Sequence, residues 1–357
     1  MYSESDLQTA VDAHVLSPEA AAAFRSHIAS LRSAPGADEE SFRLITGFND
    51  IFVSIAAVIL LVAVAWIGES IHTALAGAFV AASAWLLAEY FTRKRRMALP
   101  SIVLVLAFSG GVLATMLGFL FEHGEAIFGP RLGETTGALT FGGIALLTAG
   151  ATWFHWKRFM VPITVAAGTA ALAATSVALV LSITGVPQGS PTLPMILVLI
   201  AGLGVFALAM WWDRSDRARQ TRRSDVAFWL HLLAAPMIAH PIFHLLGVTE
   251  GDNISSAAAV LVVGIYILFG LIALAIDRRA LLVSALAYVL FALTQLFNQF
   301  GAVELNVALT AFVIGSALLL LSAFWQNARA AVVGLLPENL ASQLPATVRP
   351  VSPQPAS

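Results

Sequence analysis

The chain contains no cysteine, and only 11% of its 357 residues are charged. The first absence rules out disulfides, thiolate nucleophiles, Cys-ligated zinc and iron–sulfur clusters, so any metal has to be held by His, Asp or Glu. The second leaves too little charge for an ordinary soluble domain, in which about 25% of residues are charged. A Walker-type loop, a dinucleotide fingerprint, HExxH and GxSxG are also missing. Nothing reads as a soluble catalytic domain, no cofactor is indicated, and no catalytic residue is assigned. The first 48 residues hold no basic-then-apolar signal sequence, so no cleavage is expected.

What is abundant is apolar: 59% of the residues are hydrophobic. A hydrocarbon core about 30 Å thick calls for roughly 20 apolar residues per helix. Ten such runs are present, approximately Asp50–Ile67, Ile71–Phe91, Leu99–Phe121, Thr135–Phe154, Phe159–Ile183, Leu193–Trp212, Val226–Gly247, Ala257–Ile276, Leu281–Phe300 and Val307–Trp325. The expectation is an all-α fold, a polytopic transmembrane bundle of about ten spans over residues 50–326. A soluble helical hairpin (1–32) and a linker with the membrane entry (33–49) precede it, and an amphipathic segment with a disordered end (327–357) follows. In the leader, Leu7, Val11, Phe24, Ile28 and Leu31 recur at helical spacing, and Ser17-Pro18-Glu19 supplies an N-cap, a first-position proline and a first-turn carboxylate. Asn49-Asp50 reads as the cap of the first span, and Val332, Leu335, Leu336 and Leu340 form a stripe suited to a leaflet surface.

Basic residues crowd one side. Every Lys and Arg except Arg131 lies in the leader, the tail or an alternate connection, at Arg93–Arg96, Lys157-Arg158, Asp213–Asp225 and Arg278-Arg279. By the positive-inside rule both termini are expected in the cytoplasm of a bacterial inner membrane. The opposite loops carry Glu69, Glu122, Glu125, Glu134, Glu250, Asp252 and Glu304. The basic loop over 213–225 is accounted for as a topology determinant and needs no nucleic acid. Glu89, four residues before Arg93, reads as an interfacial ion pair.

A second regularity runs through consecutive helix pairs. Tyr90-Phe91, Trp156, Trp211-Trp212 and Trp325 close returning helices just before a basic residue, and each returning helix holds a glycine: Gly77, Gly143, Gly202, Gly264 or Gly315. Interfacial anchoring and close helix approach explain this in any polytopic protein; a parallel hairpin repeat is the other reading.

The segment Val226–Gly247 concentrates the chemistry. It carries His231, His240 and His244 together with Pro236 and Pro241 in an otherwise apolar run. Ionisable groups at membrane depth are costly and usually face a protein interior or a wet cavity. At 100° per residue His240 and His244 lie about 40° apart, whereas His231 is about 180° from His240. The prolines free the carbonyls of Leu232 and Met237. On the ninth helix Ser284, Tyr288, Gln295, Asn298 and Gln299 share about 100° of arc. If the seventh and ninth helices pack together, the amides meet the histidine pair and make an outward-facing polar pocket. Glu69, His72, Glu122, His123 and Glu125 stand at helix ends and are candidates for its outer mouth.

Three readings of this pocket are open: histidines and amides bonded between helices, a solute or proton site, and a metal site completed by a third ligand from Glu122, His123, Glu69 or His72. No metal is assigned. The leading expectation is a small-solute, ion or proton permease-like protein in the lipid bilayer. From a different class comes a binding or assembly protein that recruits a cytoplasmic partner through residues 2–31. An enzyme acting on lipid or an isoprenoid carrier ranks third, since only Glu122 and Glu125 begin to supply an interfacial carboxylate cluster.

Val15-Leu16-Ser17-Pro18-Glu19-Ala20 in a short helical hairpin, the acidic linker, Gly47-Phe48 opening a span that closes at Ala65-Trp66, and the Arg329…Leu335-Leu336-Pro337 tail resemble a group of bacterial integral membrane proteins known only as a domain of unknown function. Many of its members close the first span with Asn-Trp, where this chain has Ala65. The resemblance implies a bacterial multi-pass architecture with a small cytoplasmic leader, and it carries over no activity or site residue.

Overall fold

A computed structural model describes residues 10–13, 15–24, 48–129, 133–185, 191–217, 219, 221–248, 255–299 and 306–345. The chain divides into two compact units, residues 1–42 with 347–357 and residues 43–346. In the first, residues 10–12 are helical and a second helix covers residues 18–24. Ser17 caps it, its Oγ accepting from the Ala20 N–H at 3.1 Å. Leu7, Ile28 and Leu31, which the hairpin reading also needs, lie outside the described residues, as does Arg131.

The second unit is all-helical among the described residues. Its elements are α1 (Phe48–Glu69), α2 (Thr73–Ala88, continued by a π-helical turn Glu89–Lys94), α3 (Ala98–Phe128), α4 (Glu134–Phe159), α5 (Pro162–Thr184) and α6 (Thr192–Ser215). They continue as α7 (Arg222–Leu245), α8 (Ser256–Ile276), α9 (Ala280–Gln299), α10 (Asn306–Ala323), α11 (Trp325–Gly334) and α12 (Glu338–Ala341). Among the described residues nine helices are long and apolar enough to cross a bilayer, and the pair α10 and α11, bent by 77°, passes only when taken together, as a broken span or a re-entrant loop. The chain is a multi-pass membrane helix bundle. Asp50 lies within the first turn of α1, which is described from Phe48, and its side chain is buried. At 31 residues α3 outruns the hydrocarbon thickness, and its last turns carry Glu122, His123 and Glu125 beyond the apolar stretch.

Several Ser and Thr hydroxyls along the spans, those of Thr148, Thr169, Thr175, Ser176 and Thr294, return to carbonyls one turn back and so are satisfied without water, while the buried Ser109 Oγ has no partner among the described residues. The most extensive packing is α2 on α3, α4 on α5, α6 on α7 and α8 on α9. These are the helices joined at the basic side, whereas the sequence regularity had paired them across the other side. Each of the four basic-side turns holds one non-glycine residue at positive φ: Arg96 (54°), Met160 (54°), Arg219 (52°) and Asp277 (58°).

The glycines of the returning helices divide. At Gly77 an added Cβ would sit 2.4 Å from the Thr115 backbone nitrogen, while at Gly143, Gly264 and Gly315 it would meet nothing within 4 Å. Close approach therefore explains some of these glycines and not the series. Gly202 is of the first kind, with the Met237 carbonyl 2.9 Å (carbon) and 3.0 Å (oxygen) from the added Cβ. This is the carbonyl that Pro241 deprives of its helical donor, and α6 presses its bare Cα against it.

The core centres on α7, in which 56% of the spanning window is buried, against at most 39% for any other span. Val226, Leu230, Ala234, Ala235, Ala239 and Phe243 supply its buried face.

Candidate functional site

Two polar groupings lie on α7, at different depths and on opposite faces. Toward the acidic side, α9 packs along α7 and its Tyr288 hydroxyl lies 2.5 Å from His240 Nδ1. Phe243, wholly buried, stacks on Tyr288 with ring centroids 4.5 Å apart and holds that ring in place. The His240 and His244 rings are 6.2 Å apart, the spacing that one helical turn imposes. His240 stays exposed and His244 half-buried. Gln295 is half-buried two turns beyond Tyr288, about 10 Å farther along α9, and is hydrogen-bonded to neither histidine. The structure therefore joins His240 to the tyrosine, not to this amide, because α9 is offset along α7. The side chains of Asn298 and Gln299 lie outside the described residues.

An open apolar groove of about 820 Å³ is lined by α4, α5 and α6 and reaches Leu233 and Met237 of α7, with Glu134 among its lining residues. Those two α7 positions lie within about 60° of His240 on the helix surface. The volume is in the range of small-molecule sites.

His72, Glu122 and His123 form a separate group. His72 caps α2, its Nδ1 accepting from the Ala74 N–H at 3.0 Å, so Nε2 carries the proton toward Glu122 Oε2 at 3.3 Å. Phe119, His123 and His72 stack in sequence, with centroid spacings of 4.7 Å and 5.3 Å. Glu69 ends α1, exposed and joined to none of them. α3 packs on α5 and α5 on α7, but α2 and α3 do not pack extensively on α7 or α9. The structure does not bring this group to the His240 pair. Among the described residues no three His, Asp or Glu side chains are arranged so that they could hold a metal ion.

The second grouping on α7 escaped the sequence reading. His231 is buried, with Nε2 2.9 Å from Asp213 Oδ2 on α6. The other oxygen of Asp213 accepts from Arg278 Nη2 at 2.7 Å, and Arg278 also donates to the Ser224 carbonyl at 3.2 Å. With Asp213 ionised, His231 Nε2 bears the proton, and Nδ1 is buried without a partner among the described residues. Beside this triad Asp277 accepts from Arg219 Nη1 and Trp325 Nε1, each at 2.7 Å, with Arg329 Nε 3.7 Å away. Burial and the neighbouring Arg278 hold the Arg219 guanidinium below its ordinary pKa, against the pull of Asp277. The tail folds back over the cluster: the Pro345 carbonyl accepts from Arg329 at 2.7 Å and the Leu344 carbonyl from Arg217 at 3.1 Å. Val332 thus packs on protein, while Leu335 and Leu340 remain exposed.

A usable signal was present. Asp213 and Asp277 are acids at the arginine-rich ends of apolar helices, where only cations are needed to set topology. His231, opposite His240, had to face something other than its neighbour's partner.

His155 is also wholly buried, boxed by Trp85, Phe108 and Phe159. Glu89 bonds Arg93 at 3.2 Å as expected, and more closely Arg158 Nε at 2.6 Å, which ties α2 to α4.

No family model, curated protein or solved structure matches the chain, so the likeness seen in the leader and tail rests on the residues quoted for it.

Proposed function

We propose that this is a permease-like protein of the bacterial inner membrane, with an outward-facing polar site for a small solute, an ion or a proton between α7 and α9. His240 and His244 are its titratable groups, Tyr288 orients His240, and Gln295, Asn298 and Gln299 supply further polar lining. With the arginine-rich end and both termini in the cytoplasm, the His240 end of α7 faces outward.

The observation that carries this reading is α7 itself. The most buried span holds polar histidine contacts at two depths, His231 with Asp213 and Arg278, and His240 with Tyr288. Groups of this kind are expensive in a bilayer and tend to mark proton or ion pathways. His240 keeps its exposure despite its bond, and an open groove of about 820 Å³ borders the same helix face.

The test is flux into vesicles reconstituted with the purified protein, read by a trapped pH-sensitive dye under an imposed potential and by uptake of labelled small solutes. His240→Ala is expected to lower transport at least tenfold, His244→Ala and Tyr288→Phe by less. Transport that is the same in all three variants as in the parent protein would sink the assignment. A reporter fused after Ser357 is expected on the cytoplasmic side, and its appearance outside would reverse the orientation of the site.

A further inference from the structure

The corner between α1 and α2, at the acidic end, is tied by one imidazole. The turn closes with the His72 N–H donating to the Gly68 carbonyl at 2.9 Å, and the Leu75 N–H returns to the His72 carbonyl at 2.8 Å. Ala74 is buried, and its N–H donates to His72 Nδ1 at 3.0 Å. The residues preferred at such a cap are Ser, Thr, Asp and Asn, none of which changes charge near neutral pH. Histidine does. The far side of the same ring reaches α3, where Nε2 lies 3.3 Å from Glu122 Oε2 and the ring stacks on His123, itself stacked on Phe119. The side chains of His72 and Glu122 are 31% and 44% exposed, so protons reach this corner from water.

We infer that His72 is a pH-sensitive switch: neutral, it caps α2; on taking up a proton it gives up the cap and keeps Glu122. Its two nitrogens set the outcome. Nδ1 accepts from Ala74 and is therefore bare in the neutral ring, so Nε2 already carries the proton. A second proton has only Nδ1 to occupy, and it turns the acceptor into a donor aimed at the Ala74 N–H. The two N–H groups then repel, and the new charge stands at the positive end of the α2 dipole. Glu122 acts in the opposite sense, because its carboxylate bonds an imidazolium more strongly than a neutral ring. One proton thus loosens His72 from α2 and tightens it on α3. His123, with its ring centroid 5.3 Å away, adds a like charge when it too is protonated, which drives the rings out of their stack. The other charged groups at this corner are Glu69 at the end of α1 and Glu125 on α3, both exposed, and the first turn of α2 brings none. Imidazoles change charge between about pH 5 and 8, so mild acidification is enough to work the switch. Which compartment it senses rests on the orientation proposed above; the switch itself does not.

The experiment is hydrogen–deuterium exchange of the full chain in lipid nanodiscs, with fragmentation that resolves the Ala74 amide. It compares about pH 7.5 with about pH 5.5, across the imidazole range, after correction for the intrinsic exchange rate. In the parent protein the protection of Ala74 is expected to fall at least tenfold at the lower pH. His72→Asn, which caps without titrating, should keep the protection at both values, with His72→Ser as the second capping variant should the first fail to fold. His72→Ala should leave the amide unprotected at both. In Glu122→Gln the loss should come at lower pH than in the parent, since no carboxylate then favours the imidazolium. Equal protection at both pH values in the parent would overturn the proposal. A loss in His72→Asn as large as the parent's would overturn it as well, by showing that acid opens the corner through another group. Flux is not read in this experiment, so its failure leaves the transport reading standing, and loss of that reading leaves the switch.

Discussion

At the basic end of the bundle, four short turns each place a non-glycine residue in the left-handed region, and Arg96, Met160, Arg219 and Asp277 occupy those places. At the acidic end the positive-φ positions among the described residues are Gly129, Gly185 and Gly247. An L-residue in that conformation costs about 1–2 kcal/mol, so the basic end keeps strain that the acidic end avoids. At two of the four basic-side turns the surroundings supply a reason, whereas Arg96 and Met160 are exposed. Asp277 is buried and accepts from Arg219 and Trp325, and Arg219 in turn donates to the carbonyls of Ile276 and Asp277. Contacts of this density hold a backbone where its intrinsic preference would not. At the acidic end His72, Glu122, His240 and His244 are exposed or half-buried, and the turns relax into glycine. Among the described residues the buried charge cluster lies at the basic end, and the histidines with exposed or half-buried rings lie at the acidic end.

The largest test of this contrast is Asp277→Ala. It strands Arg219 and Arg329 without their carboxylate in a buried setting, and breaking such a pair costs about 3–5 kcal/mol. Thermal unfolding in detergent is expected to show it as a steep loss of stability, and an unchanged midpoint would mean that the cluster does not stabilise that end. Next come Gly77→Ala and Gly264→Ala. The first forces a methyl to within 2.4 Å of the α3 backbone and is expected to destabilise by about 1–3 kcal/mol. The second meets open space and is expected to be neutral or stabilising by up to about 1 kcal/mol. His72→Ala removes a cap at the acidic end and should cost about 1 kcal/mol; rescue by Asn at the same position would show that capping, and not the stack on His123, is what counts. The smallest effects are a pair of opposite sign. Met160→Gly relieves one strained turn and should raise stability by a few tenths of a kcal/mol to about 1, while Gly247→Ala should lower it by about 1. Two shifts of the same sign would dissolve the distinction between the ends.

The candidate site was only half legible. His240 and His244 stand out because polar residues one turn apart in an apolar run have one face to share, and that arithmetic needs no tertiary information. The partner of His240 needed it. Any residue within the polar arc of α9 was an acceptable guess, and the choice of Tyr288 over Gln295 depends on an offset along the two axes that no periodicity encodes. His231 was set aside for pointing away from the pair, yet its direction is what delivers it to Asp213 on α6. The grouping of His72, Glu122 and His123 was foreseeable as helix-end chemistry, but its separation from α7 reflects α5 packing against both α3 and α7.

By itself the sequence determined that this chain is a multi-pass helical membrane protein and which of its ends is basic. Helix formation is forced wherever about 20 apolar residues enter hydrocarbon with no water to bond their backbone, and charge placement is a linear property of the chain. Tertiary structure alone decided which helices pair, which turns carry strain, and that Asp213 and Asp277 are buried hubs and not surface counterions. Hydrophobic attraction between helices is absent in lipid, so pairing rests on close packing and on a few polar contacts, and those exist only once three-dimensional neighbours are in place.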